Sequence, residues 1–114
     1  MKIRKNQCKA CPWKKSTVPG RDIPRGYCSS LHAKLRSTIA EPGNLRSGGA
    51  IMACHESRRD DEYPCVGWIA NQLGTGNNLA LRILAMDGRF EGLKLDGPQH
   101  ENFEDTLPKG FAGV

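Results

Sequence analysis

The chain is short of the residues that fill a core. Aromatics are 6% and hydrophobic residues 38% of 114 positions, against 25% charged residues, 13 Gly and 7 Pro. One small domain can be built from this mixture, whereas a catalytic barrel, a doubly wound sheet or a two-domain enzyme cannot. No apolar run approaches the roughly 18–20 residues that span a bilayer. The basic opening, MKIRKNQCKA, has no apolar stretch behind it and does not read as a secretory signal. These absences predict a small, soluble, cytoplasmic protein away from membranes, held together by something besides apolar mass. Acid is also missing from the first 21 residues, which carry seven Lys and Arg. Residues 1–59 hold 13 Lys/Arg against 3 Asp/Glu and residues 60–114 hold 4 against 9, so halves of +10 and −5 make up the formal +5. A basic end of this kind attracts polyanions or an acidic protein face, unless it folds back on its own acidic half.

What the chain does have is five cysteines, Cys8, Cys11, Cys28, Cys54 and Cys65. An odd number without an export signal argues against a disulfide framework and for metal ligation. Cys8-x-x-Cys11 has the spacing at which two sulfurs face one tetrahedral ion over a turning backbone. Cys54 and Cys65 complete the set, with Cys65 at a helix start where the dipole favours a thiolate. His55 is the alternative fourth ligand. Neighbours in a strand point to opposite faces, so Cys54 and His55 reach one ion only if the chain turns there. Soft thiolates in this number suit Zn2+, with an iron–sulfur cluster as the alternative. A closed thiolate site is structural, which directs the reading away from hydrolysis. Cys54-His55-Glu56 followed by Pro64-Cys65 matches part of the zinc deaminase signature, but Trp68 stands where a second cysteine is needed. A small metal-dependent enzyme is therefore the weakest reading. Cys28 and His32 read as a buried free thiol and a surface imidazole. Trp13 and Trp68, each close behind a cysteine, read as rings that shield the metal. The sharper alternative makes Trp13 a partner-binding residue together with Lys14, Lys15 and Arg21.

Residues 1–29 are punctuated by Pro12, Pro19, Gly20, Pro24 and Gly26 and read as irregular. Ser29 or Ser30 can cap a helix running to Ala40 with Leu31, Leu35 and Ile39 on one face, stopped by Pro42-Gly43. The run Ala50-Ile51-Met52-Ala53 reads as a short strand that delivers Cys54 and His55. Val66, Ile69, Ala70 and Leu73 have the spacing of an amphipathic helix. Asn77 can cap a further helix in which Leu79, Ile83 and Met86 make one apolar stripe and Ala80 and Leu84 widen it, closing at Asp87-Gly88. From Arg89 onward apolar residues are isolated among Gly, Pro and acids. The predicted architecture is an α+β, zinc-stapled domain over residues 1–88. It has an N-terminal Cys knuckle, one short strand or hairpin and about three short α-helices, followed by an extended acidic tail or arm over 89–114.

Cys8-x-x-Cys11-Pro12-Trp13, Met52-x-Cys54-His55, Cys65-x-Gly67-Trp68 and Asn77-Asn78-Leu79-Ala80-x-Arg82 together resemble a group of short cysteine-rich proteins of bacteriophages and bacteria, classed as a domain of unknown function. The resemblance covers roughly residues 6–90 and leaves out Cys28 and the tail. It implies a phage or prophage setting, and Cys8, Cys11, Cys54 and Cys65 as the metal set with His55 beside it. It carries no reaction and no partner. The combined expectation is a non-enzymatic, zinc-binding accessory protein that binds and inhibits a host or defence protein. A nucleic-acid-binding zinc protein using the basic N-terminal half is the alternative.

Overall fold

The computed structural model describes residues 2–23, 27–47, 49–58 and 60–108. The helix breakers Pro24 and Gly26, and the end of the predicted arm at 109–114, lie outside the described residues. Among the described residues, four short helices carry the chain: α1 (Pro19–Asp22), α2 (Ser29–Lys34), α3 (Val66–Leu73) and α4 (Leu79–Leu84). Turns of 3₁₀ type follow at Leu35–Thr38, Ala85–Asp87 and Phe103–Thr106. Among the described residues, strand pairing is limited to isolated bridges. The predicted strand at 50–53 is reduced to the bridge between Ala53 and Pro64. Beside it the Cys54 amide donates to Tyr63 O and the Cys65 amide to Met52 O, both at 2.8 Å. Pro64 is tolerated because the bonds of this bridge come from its neighbours and none would be donated by its own nitrogen. The pairing sets Cys54 opposite Tyr63 and Cys65 opposite Met52, with both cysteines on one face of the hairpin. Among the described residues, no helix is long and apolar enough to cross a membrane.

Helix α3 forms where its apolar spacing predicts, but it is covered on more faces than one stripe requires. Trp68, Ile69 and Gln72 are all fully buried. Trp68 Nε1 donates to Thr38 O at 3.1 Å, which ties α3 to the turn that ends α2. Gln72 is buried because its Oε1 accepts from the Ala40 amide (2.9 Å) and from Asn78 Nδ2 (3.1 Å), so no polar atom is desolvated without a partner there. Asn78, held in this way, caps α4 by accepting from the Leu81 amide at 3.0 Å. The predicted cap, Asn77, sits one residue earlier with φ +39°, in the left-handed region that Asn tolerates, and turns the chain from α3 into α4. With α4 fixed from Asn78, Leu81, Leu84 and Ala85 face the core. Of the predicted stripe, Ile83 and Met86 point outward, 58% and 83% exposed, whereas Leu84, which widens it, packs on the core. Both sets satisfy helical spacing, and the buried polar cap selects between them.

Around α2 the expectation for Cys28 and His32 is reversed. Cys28 is exposed and His32 is buried. The imidazole can be buried because its Nδ1 meets Tyr27 OH at 2.7 Å and its Nε2 meets Thr106 Oγ1 at 3.2 Å, while Phe103 lies edge-on at 5.9 Å. Cys28 stands at the N-cap of α2 without a side-chain cap bond, and neither Ser29 nor Ser30 caps the helix.

The largest departure from the predicted outline is the segment after Arg89. Through residue 108 it is packed on the N-terminal segment. Asn6 bridges Lys94 and Lys14 bridges Gln99. The Gln7 amide donates to Lys94 O (2.9 Å), the Lys15 amide to Pro98 O (3.0 Å) and the His100 amide to Trp13 O (2.7 Å). The side chains of Gln7 and Gln99 also bond to one another, Gln7 Nε2 donating at 2.7 Å. Phe90, Phe103 and Thr106 are buried. Phe90 and Phe103 are far apart in sequence, but each is a large ring buried in the core, with Leu93 and Leu107 packed against that core, and backbone pairing supplies the rest.

Candidate metal centre

The backbone turns over the knuckle as its spacing requires. The Cys11 amide approaches Cys8 O at 3.4 Å, and the Lys14 amide donates to Cys11 O at 3.1 Å. Cys8, Cys11, Cys54 and Cys65 are all buried and all free. Cys11 Sγ lies 3.6 Å from Cys65 Sγ, which brings the knuckle against the start of α3. Gly67 makes this approach possible. A Cβ there would lie 2.7 Å from Trp13 Cβ, 2.8 Å from Gln7 Nε2 and 2.9 Å from Cys11 Sγ, closer than atoms tolerate. Trp13 and Trp68 cover the cluster, both about 1% exposed.

The thiols share protons unequally. Hydrogen bonds from Cys65 and then Cys8 lower the Cys11 pKa to about 3, helped by the backbone N–H of Trp13 and by Gln7. A bond from Cys8, with the backbone N–H of Glu56, lowers Cys54 to about 7 against the opposing effect of burial. Cys8 is raised by Cys11 and Cys54, and Cys65 is raised by Cys11 and by burial. Cys65 is the N-cap of α3, but its place in the helix field does not prevail, because the neighbouring Cys11 carries the charge and Cys65 donates to it. Ligation of a cation would release the protons these thiols hold.

The turn that His55 needed is present. It begins immediately after Cys54, whose carbonyl accepts from the Ser57 amide (2.9 Å) and Ser57 Oγ (2.6 Å). His55 Nε2 is thereby brought to 3.4 Å from Cys8 Sγ. Among the described residues, the set of three or more donor atoms that all lie within 4.8 Å of one another is Cys8, His55 and Glu56, close enough to hold a metal ion. Glu56 as a donor is not anticipated by the cysteine spacing; in the sequence it stands out only as the acid of the partial deaminase signature, next to His55. A Glu56 carboxylate oxygen also pairs with Arg4 at 3.4 Å, and Arg4 donates to Tyr63 OH at 2.9 Å.

The partner-binding residues expected from the basic end are divided by the fold. Trp13 is inside the core, and Lys14 is buried with its Nζ on Asp96 (2.6 Å) and on Lys9 O (2.9 Å), so neither is presented at the surface. Lys15 and Arg21 are exposed, Arg21 being paired with Asp22 at 2.8 Å. Lys2 pairs with Asp61 at 3.0 Å, and Arg36 pairs with Glu104. Among the described residues, Lys2, Lys14 and Arg36 of the basic half thus pair with acids from the second half. Beside the thiol cluster lies an open groove of about 680 Å³. Ile23, Tyr27, Leu31 and Leu35 line it on one side, and His55, Glu56 and Arg58 on the other.

No curated protein and no solved structure matches the chain. A family model does, over a span that takes in the segment beyond residue 90 as well as Cys28 and joins the packed C-terminal stretch to the domain. The protein belongs to that family, a family of unknown function (DUF6283), matched over residues 3–108.

Proposed function

We propose that the protein is a zinc-stapled, non-enzymatic accessory domain that docks on a host or defence protein and inhibits it. The observation that carries the reading is that four free thiols from three segments are buried in a chain poor in apolar mass, with Cys11 and Cys65 3.6 Å apart. Soft donors in that number fit Zn2+, and Cys11 and Cys54 already favour the thiolate. Cys8 and Cys11 would hold the ion from the knuckle, Cys54 from the hairpin and Cys65 from the start of α3. The bound ion supplies folding free energy, as in other small metal-dependent domains. A closed set of four thiolates has no position for water, which favours binding over catalysis.

The groove beside the cluster supports docking on a protein. Leu31, 62% exposed on its wall, is an apolar side chain that a partner would cover. The phage setting comes from the family resemblance. The nucleic-acid reading has less support, since Trp13 and Lys14 are internal and Lys2, Arg4 and Arg36 are engaged by acids. The test joins metal analysis to partner capture. Purified protein is expected to contain zinc and no iron, and to retain from host lysate a protein that a Leu31→Asp variant does not retain. Iron in place of zinc, or nucleic acid retarded at low salt with a steep loss of affinity as salt rises, would overturn the reading.

A further inference from the structure

We infer that the protein carries a second divalent-cation site, formed by Cys8, His55 and Glu56, which shares Cys8 with the buried thiolate set. The inference rests on the zinc reading above and extends it. Cys8 occupies the middle of the donor group. Its side chain is buried, and its sulfur lies 3.4 Å from Nε2 of the exposed His55. A thiolate has lone pairs enough to bridge two cations, and the second set of donors is already gathered within 4.8 Å.

The charges agree with two ions rather than one. Four thiolates around one dication leave an excess of two negative charges, and Glu56 adds another beside them. Arg4 pairs with Glu56 at 3.4 Å, and Arg58 lines the same groove beside it. That pair is exposed, and an exposed pair of this kind is weak, so a dication can displace the guanidinium at little cost. Sulfur, nitrogen and oxygen together suit Zn2+ or Co2+, and exclude Mg2+ and Ca2+ as preferred occupants.

The two sites differ in access. The thiols of Cys11 and Cys65 are sealed, whereas His55 and Glu56 are exposed and line the groove together with Arg58. An ion held by Cys8, His55 and Glu56 has further coordination positions facing that space, open to water or to an anionic donor entering the groove. The buried ion is permanent and the rim ion exchangeable.

Zinc stoichiometry of the full chain tests this, read by elemental analysis and native mass spectrometry, with Co2+ absorption as a second probe. Two ions per chain are expected at saturation, with one lost on dialysis against a chelator of moderate strength. His55→Ala and Glu56→Gln are each expected to hold one ion while keeping the wild-type helical circular dichroism. Saturation at one ion, unchanged in His55→Ala, overturns the second site and leaves the thiolate site standing. A single ion that is lost in His55→Ala but kept in Cys65→Ser overturns both, as does a chain that binds none.

Discussion

The two ends of the donor cluster are built differently. At the buried end, Cys11 and Cys65 are pressed together by Gly67, Trp13 and Trp68 with no room for an added methyl group. At the rim, His55 and Glu56 stand on a turn and are held by one contact with Cys8 and one weak ion pair. Losing a donor at the buried end leaves unpaired thiols inside a core too small to hold itself together. Losing one at the rim leaves the packing intact. Cys11→Ser is therefore the most damaging change expected. It should abolish zinc binding and most of the helical circular dichroism, because metal affinity in such a chain is folding free energy, on the order of 10 kcal/mol in small zinc domains. Cys28→Ser, at an exposed thiol, should stay within about 0.5 kcal/mol of wild type. A Cys11→Ser variant with native circular dichroism would erase the distinction between the two ends.

A second contrast separates the predicted arm from the packed segment found in its place. A free arm would tolerate truncation of its side chains. Phe103, instead, is buried against Trp13 at 6.2 Å between ring centroids and lies beside His32. Phe103→Ala should cost about 3–5 kcal/mol, the range for a large aromatic removed from a core. Denaturant titration of the metal-loaded protein measures it. A loss below about 1 kcal/mol, no more than an ordinary substitution costs, would return residues 89–108 to the status of an appendage.

The sequence was most readable where one chemical need dictates several positions. Helix α3 follows from its apolar spacing, and the Cys-x-x-Cys turn follows from its own geometry. It was least readable where residues far apart complete one another. The stripe of α4 could be read in two phases, and only the contact of Asn78 with Gln72 decides between them. Phe90 and Phe103 look isolated because the surfaces they fill come from other segments. His55 and Glu56 reach Cys8 through a turn that no spacing rule announces, set by Ser57 on the Cys54 carbonyl. His32 gives no local sign of burial, since its partners Tyr27 and Thr106 lie on opposite sides of it in the chain.

That histidine sharpens the comparison between buried and exposed groups, because His32 and His55 line the same groove and only His32 is buried. Burial lowers the His32 pKa from its ordinary value of 6.5 to about 4. Between those values the unfolded chain binds a proton that the folded chain refuses, so the stabilisation is complete above pH 6.5 and is lost as pH falls toward 4. Its ceiling is about 3 kcal/mol, from 1.36 kcal/mol per pKa unit. Thiolate ligation also weakens in acid, so the measurement is a difference between wild type and His32→Gln, which keeps polar atoms but does not titrate here. The stability gap between the two should narrow steadily from pH 6.5 to pH 4 as the wild type alone loses the His32 contribution. Parallel curves would mean that acid sensitivity resides wholly in the thiols, and that the clamp from Tyr27 through His32 to Thr106 contributes equally at every pH.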